Sequence, residues 1–430
     1  MIHVHQMFHA VGHGTLFSGL ISNRSNTNFS WMYDCGSKRT KRLTETIDIL
    51  NKWTHWPPEI DLLVLSHFDD DHVNGVEELL STRKVRWLAL PYLDVAQKLA
   101  QAAAVSGNST SLSTAMFQLN PEGWLASRGL SDRVSSILLV QGGDRPEDIG
   151  DIRFLPELLQ PTDKNNKHNA REQELLQMQE IKLGLQKKHQ TLVWNHHQPM
   201  IVKDLSFELM FFNSRQSNLF KTNAAGQKTA KRSGVLLSVV QADISSIVSN
   251  YRMNNLSTPR REWRDALKKC YERHFGSSSQ DRNNISLCLL TRPIAEKYVC
   301  PCSIYCRELE PMTARCACSS ALRRRPGLLC LGDLRIDVDT RSEISTHFGS
   351  RWSQIGVVQV PHHGSQHSWE KGNAKALNPE CFIHCIPSES KNHPHSSVVA
   401  DLANHKVYIA DYEKSIQFPY CFLPSRLTAI

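Results

Sequence analysis

One short stretch constrains this chain more than any other. Ile60-Asp-Leu-Leu-Val-Leu-Ser66 is nearly all apolar, the pattern of a strand buried on both faces, and it runs straight into His67-Phe-Asp-Asp-Asp-His72. Gly75-Val-Glu-Glu-Leu-Leu80 then begins a helix-like pattern. Strand, polar loop, helix is the order that places loop side chains at the carboxyl end of a sheet. In extended or turn geometry His67, Asp69 and Asp71 point the same way, and His72 follows at the helix start. Carboxylates brought this close raise one another's pKa, and one or two divalent cations remove the conflict. The alternative is a solvated, acidic helix start, where Asp is favourable without any ion.

Two later segments favour the ion. Leu331-Gly332-Asp333 places a carboxylate directly after the strand-like run Leu328 to Leu331. Val360-Pro361-His362-His363-Gly364-Ser365 places two histidines after the run Ile355 to Val360. Taken singly, these are a common Gly-Asp turn and a polar His pair. Three strand ends offering His and Asp form a metal-site pattern.

Further strands are expected at 136–140, 206–212, 285–290 and 381–386, with a hairpin formed by Thr15 to Ile21 and Phe29 to Tyr33 and a strand at Val85 to Leu90. Leu175, Met178, Ile181 and Leu185 recur at helical spacing. Residues 214–282 are polar and basic and predict a mainly helical insertion. The chain therefore divides into 1–160 as the first half of one fold, 161–282 as strand 206–212 with insertions around it, and 283–430 as the second half, with a Cys-rich loop at 298–326.

The motifs also resemble a known family. His67-Phe-Asp-Asp-Asp-His72 looks like the HxHxDH signature of metallo-β-lactamase-fold hydrolases, with Asp69 in place of the second His. With Ser66 before it, the H-x-D-x-D-H form resembles the ComEC-like branch, the nuclease-type domain of DNA-uptake competence proteins. Val11-Gly-His-Gly14, Asp34-Cys35-Gly36, Asn284-Ile-Ser286, Gly332-Asp333, Pro361-His-His-Gly-Ser365 and His393-Pro394-His395 follow in that branch's order, over roughly 1–95 and 283–410. The resemblance implies an α/β (α+β) fold, a four-layer αββα sandwich, here with a basic helical insertion and a Cys-rich loop. It implies two divalent metal ions at one edge of the sandwich. By position His67, Asp69 and His362 or His363 would serve one ion. Asp71 and His72 would serve the other, Asp333 would bridge, and Asp34 would orient the ligands from behind. His362 is favoured over His363 because it is nearer the strand end.

Replacing an imidazole by Asp69 shifts preference from zinc towards manganese or magnesium without excluding zinc. A metal pair ~3.5–4 Å apart suits in-line phosphodiester hydrolysis, with Asp71 among the catalytic residues. The leaving group then needs a proton, for which His393 or His395 is the candidate. Ser365 and Asn392 are weaker candidates for holding phosphate oxygens.

Cys300, Cys302, Cys306, Cys316 and Cys318 are spaced for a structural zinc, although C-x-C is not the usual knuckle spacing; free surface thiols are the alternative. Arg323, Arg324, Arg325, Lys231 and Arg232 are candidates for nucleic-acid contact, against the plainer reading of solvated basic faces. Trp263 reads as helix core, with base stacking as the alternative.

Composition sets the remaining bounds. Hydrophobic residues make up 40% and charged residues 21% of the 430, enough for a full core. No apolar run reaches the length of a membrane span, and the first residues lack the basic start and apolar core of a secretory signal. The 12 cysteines are far from disulfide-scaffold density, so a cytoplasmic setting is expected. The formal charge of +8 is compatible with a polyanionic partner. Three functions compete on this basis. The first is a metal-dependent nuclease on DNA or RNA, with a defence role read from context alone. The second is a hydrolase of a small phosphoester, a cyclic nucleotide or a lactone. The third is a non-catalytic subunit that uses the insertion for protein contacts.

Overall fold

The computed structural model describes all residues except 26, 54–55, 105–111, 144–189, 215–218, 254–259, 277–285, 295–296, 300–313, 317–324 and 424–430. Two sheets dominate. In the first, Ile2–Phe8, Leu16–Asn23 and Asn28–Cys35 run antiparallel. From Asn28–Cys35 onward the neighbours are parallel: Glu59–Val64, Lys84–Pro91, Val134–Gln141 and Gln190–Asn195. The second sheet repeats this plan. Phe207–Phe212, Cys288–Pro293 and Gly327–Cys330 are antiparallel, and Ile355–Gln359, Cys381–Cys385 and Val407–Ala410 continue in parallel.

The burial pattern explains the layering. Leu62 and Val64 face inward and pack with Phe17, Trp31 and Trp87 against Phe211, Leu289, Leu328 and Val357 of the second sheet. Leu63 and Leu65 face outward, against helices that supply Leu43, Ile47, Leu79 and Trp124. On the second sheet Leu290, Leu329 and Val358 meet Ile344, Phe348, Val398 and Leu402 of its covering helices. A strand covered on both faces has no use for polar alternation, which is why Ile60–Ser66 reads as continuously apolar. Helix, sheet, sheet, helix is a four-layer αββα sandwich of mixed α/β class.

The insertion forms its own small core. Helices Leu237–Met253 and Arg260–His274 pack with Val95–Ala104 through Val240, Ile244, Trp263, Leu267 and Leu99. Trp263 is buried there, so it is a core residue and not an exposed stacking platform. The amphipathic run 169–188 lies outside the described residues. So do Asn284, Cys300, Cys302, Cys306, Cys318, Arg323 and Arg324. Cys316 ends the short strand Ala314–Cys316. Among the described residues, no helix is long and apolar enough to cross a membrane.

Candidate metal centre

Parallel strands send their carboxyl ends to one rim. Asp34 closes Asn28–Cys35, and Ser66 to His72 follow Glu59–Val64. From the second sheet come Asp333 after Gly327–Cys330, His362 and His363 after Ile355–Gln359, and His393 after Cys381–Cys385. Two glycines let these loops touch. A Cβ on Gly36 would lie 2.4 Å from the His72 backbone nitrogen. One on Gly332, whose φ is +55°, would lie 2.2 Å from Ser286 Oγ and 2.7 Å from Ser66 Cβ. Ser286 Oγ in turn accepts from Asp333 N at 3.1 Å. Close backbone approach is a standard reason for glycine at such points.

The first group forms around Asp333. His72 Nε2 lies 3.1 Å from Asp333 Oδ1, and His67 Nε2 and His362 Nε2 lie 3.5 and 3.6 Å from Asp333 Oδ2. Asp69 stands at the edge, 3.7 Å from His67 Nε2 with half its side chain exposed. The second group forms around Asp71: His363 Nε2 is 3.5 Å and His13 Nε2 3.8 Å from its Oδ2. Both members of the His pair thus face the site, one toward each carboxylate. Their backbone explains how. His362 and His363 have φ of 47° and 55°, and this left-handed turn sets their rings 77° apart. Such conformations are strained in non-glycine residues and persist only where surroundings enforce them.

Each imidazole is held from behind. His72 Nδ1 donates to Asp34 Oδ2 at 2.7 Å. Asp34 also accepts from Ser66 Oγ at 2.8 Å and Ser66 N at 2.7 Å, and Ser66 Oγ accepts from His67 Nδ1 at 2.9 Å. His363 Nδ1 donates to the Cys385 carbonyl at 2.8 Å, and His362 Nδ1 is paired with Ser368 Oγ at 3.0 Å. With these four Nδ1 atoms engaged, the Nε2 atoms turn inward. Those of His67, His72 and His363 are buried without a hydrogen-bond partner, as is Asp333 Oδ1. Buried polar atoms are seldom left so, and four that converge suit divalent ions held by nitrogen and carboxylate donors.

The charge states follow from this crowding. Burial and His72 oppose a proton on His67, yet the Asp333 carboxylate prevails and raises it to about 9. His72 is likewise raised against burial, by Asp333 and Asp34. Burial favours the neutral form of Asp333 and Asp71, but the histidines around each hold both well below the usual carboxylate range. In the protein alone, imidazolium protons thus balance charges that a cation would balance.

The remaining sequence candidates separate. His393 reaches the rim, its ring 5.5 Å from His13 and 6.4 Å from His362, with Nδ1 buried and unpartnered. Burial, then His363 and His362, lower it to about 4. His395 instead caps its own helix, Nδ1 accepting from Ser397 N at 3.3 Å. Arg325 Nη1 donates to the Asn378 carbonyl at 2.6 Å, and Lys231 and Arg232 are exposed on the insertion. His13 and Lys38 are additions the sequence did not single out. His13 was visible within Val11-Gly-His-Gly14, whereas no local pattern distinguishes Lys38 from other exposed lysines.

No protein-family model matches the sequence, and no curated protein matches it. Among solved structures the chain is similar to a long form RNase Z from yeast, at TM-score 0.32 and 10% identity, over 96% of this chain and 41% of that one. The chain therefore spans less than half the length of that relative. It is also similar to unliganded yeast PDE1, at TM-score 0.32 and 7% identity, over 98% of this chain and 100% of that one.

Proposed function

We propose that the protein is a metal-dependent phosphodiester hydrolase with nucleic acid as its substrate. The observation that carries this reading is the convergence of three buried, partnerless Nε2 atoms on two carboxylates at the sheet rim. His67, His72 and Asp333, with His362 and Asp69 beside them, would hold one divalent ion; Asp71 and His363 would hold a second. Bound ions supply positive charge to the phosphoryl oxygens and lower the pKa of a nucleophilic water. Manganese, zinc and magnesium are all compatible with a donor set mixing imidazole and carboxylate.

The chain's own residues do the rest. Asp34 and Ser66 fix the rings of His72 and His67, so the donors are preorganised before substrate arrives. Asp71 and Asp333 stay ionised at any ordinary pH, since both are held low. His393 is uncharged at neutral pH and enters as a proton acceptor. It takes a proton from the attacking water, and the leaving oxygen, on the opposite side of phosphorus, takes its proton from solvent. Nucleic acid is favoured among phosphodiesters by the formal charge of +8.

The test is incubation of the full chain with supercoiled plasmid, single-stranded DNA, RNA and bis(p-nitrophenyl) phosphate in manganese, magnesium or zinc, beside Asp71→Ala and Asp333→Ala. Cleavage of a nucleic acid that both substitutions abolish is the expected result. Cleavage surviving both would sink the site assignment. Turnover of the small diester alone would overturn the nucleic-acid substrate and keep the hydrolase.

A further inference from the structure

The group around Asp71 already contains a cation. Lys38 Nζ donates to His13 Nε2 and lies 3.6 Å from Asp71 Oδ2. The third member, His363, gives its Nδ1 proton to the Cys385 carbonyl and leaves Nε2 bare, buried and unpartnered. The His13 and His363 rings are 4.3 Å apart. His13, Asp71 and His363 offer ligand atoms that all lie within 4.8 Å of one another. An ammonium against a carboxylate and an imidazole lone pair makes the interactions a divalent ion would make there.

The backbone around Lys38 is held by several hydrogen bonds, whereas its side chain is half exposed. Lys38 N donates to the His13 carbonyl at 2.8 Å, and Ser37 Oγ donates to the Val11 carbonyl at 2.7 Å. Asn74 clamps the same turn through Ser37 N and O, at 3.0 and 2.8 Å. Half of the Lys38 side chain is exposed, so the ammonium can swing outward without disturbing the turn. Among the described residues no lysine or arginine enters the group around Asp333, whose cationic partners are its own histidines.

We propose that His13 is a donor to the ion position at Asp71, and that the Lys38 ammonium fills this position until an ion displaces it. The inference rests on the two-ion reading above. Two consequences follow. The Asp333 position gives up imidazolium protons and the Asp71 position gives up the Lys38 ammonium, so removing that ammonium favours binding at Asp71 alone. The displaced ammonium then stands at the mouth of the site, beside His13, where it can meet a phosphate oxygen of the substrate.

Isothermal titration of the metal-free full chain with Mn²⁺ alone tests this without measuring activity. Wild type shows a tight first event and a weaker second, or the first alone. Lys38→Met is expected to tighten or create the second event by tenfold or more and to leave the first unchanged. His13→Gln is expected to remove the second event and keep the first. A Lys38→Met chain whose second event is unchanged, weakened or still absent overturns the proposal, as does a second event that survives His13→Gln. The retained first event shows that each variant is folded. Absence of any binding in wild type would instead defeat the metal-centre reading itself.

Discussion

Two histidine clusters share the rim of this sandwich and differ in one respect. In the first, His67 and His72 sit with ring centroids 4.1 Å apart beside Asp333. In the second, His196, His197 and His347 sit with centroids 4.2 to 4.8 Å apart, where Gln190–Asn195 ends. Among the described residues, no carboxylate joins that group. Burial and neighbouring positive charge then outweigh the backbone hydrogen bonds: His196 is lowered to about 2 and His347 to about 3. His67, also buried, is raised to about 9. Similar rings in buried positions thus carry opposite charge states, and the neighbouring carboxylates, Asp333 foremost, decide which. His347 Nε2 donates to the Phe211 carbonyl at 2.7 Å and His196 Nδ1 accepts from Asn213 N at 3.1 Å, as packing groups do.

The comparison breaks most completely at Asp333. Asp333→Asn should turn the first cluster into a likeness of the second: the His67 pKa falls below 6.5, followed by ring NMR. Ion binding and diester hydrolysis should drop on the order of 10³-fold, the several kcal/mol that a metal's charge supplies. A His67 that stays protonated at pH 8 in this variant would refute the electrostatic account.

A smaller effect appears with pH. An ion must displace the proton on His67, so its affinity should rise as pH climbs toward about 9, by roughly tenfold per unit for that proton. The ion-free protein should behave in the opposite sense. A raised folded-state pKa contributes stability that is complete below the unfolded value of 6.5 and disappears as pH rises through about 9. The His67 share is on the order of 3 kcal/mol. Denaturant melts between pH 6.5 and 9.5, with and without ions, check both signs, and flat ion-free stability across that window would contradict them.

The smallest effect belongs to the second cluster. His347→Gln should lower stability by about 1 kcal/mol through the lost bond to Phe211. Ion content and hydrolysis should stay within about twofold of wild type, as for distant independent sites. A larger loss of either would mean the two clusters are coupled.

Much of this was legible in the residues because the rim is built from short motifs next to buried strands. The run Ile60–Ser66 announced a doubly covered strand, and the His and Asp residues after it and after 331 and 360 come together at one edge. Other features depended on partners far along the chain. The strand Ile2–Phe8 reads poorly because His5, within it, is satisfied by Gln417 at 3.1 Å, 412 residues away. The choice between His362 and His363 had no answer in spacing, since a left-handed turn sends them to different carboxylates. Lys38 was invisible because only the fold carries its ammonium to Asp71.

That left-handed turn has a mechanical consequence. His362 and His363 are adjacent in the chain, yet one leans on the carboxylate of each group. One dipeptide therefore gauges the separation of the Asp333 and Asp71 groups. Any partner that relaxes it would shift the Asp333 and Asp71 groups relative to one another while leaving every rim residue in the sequence untouched.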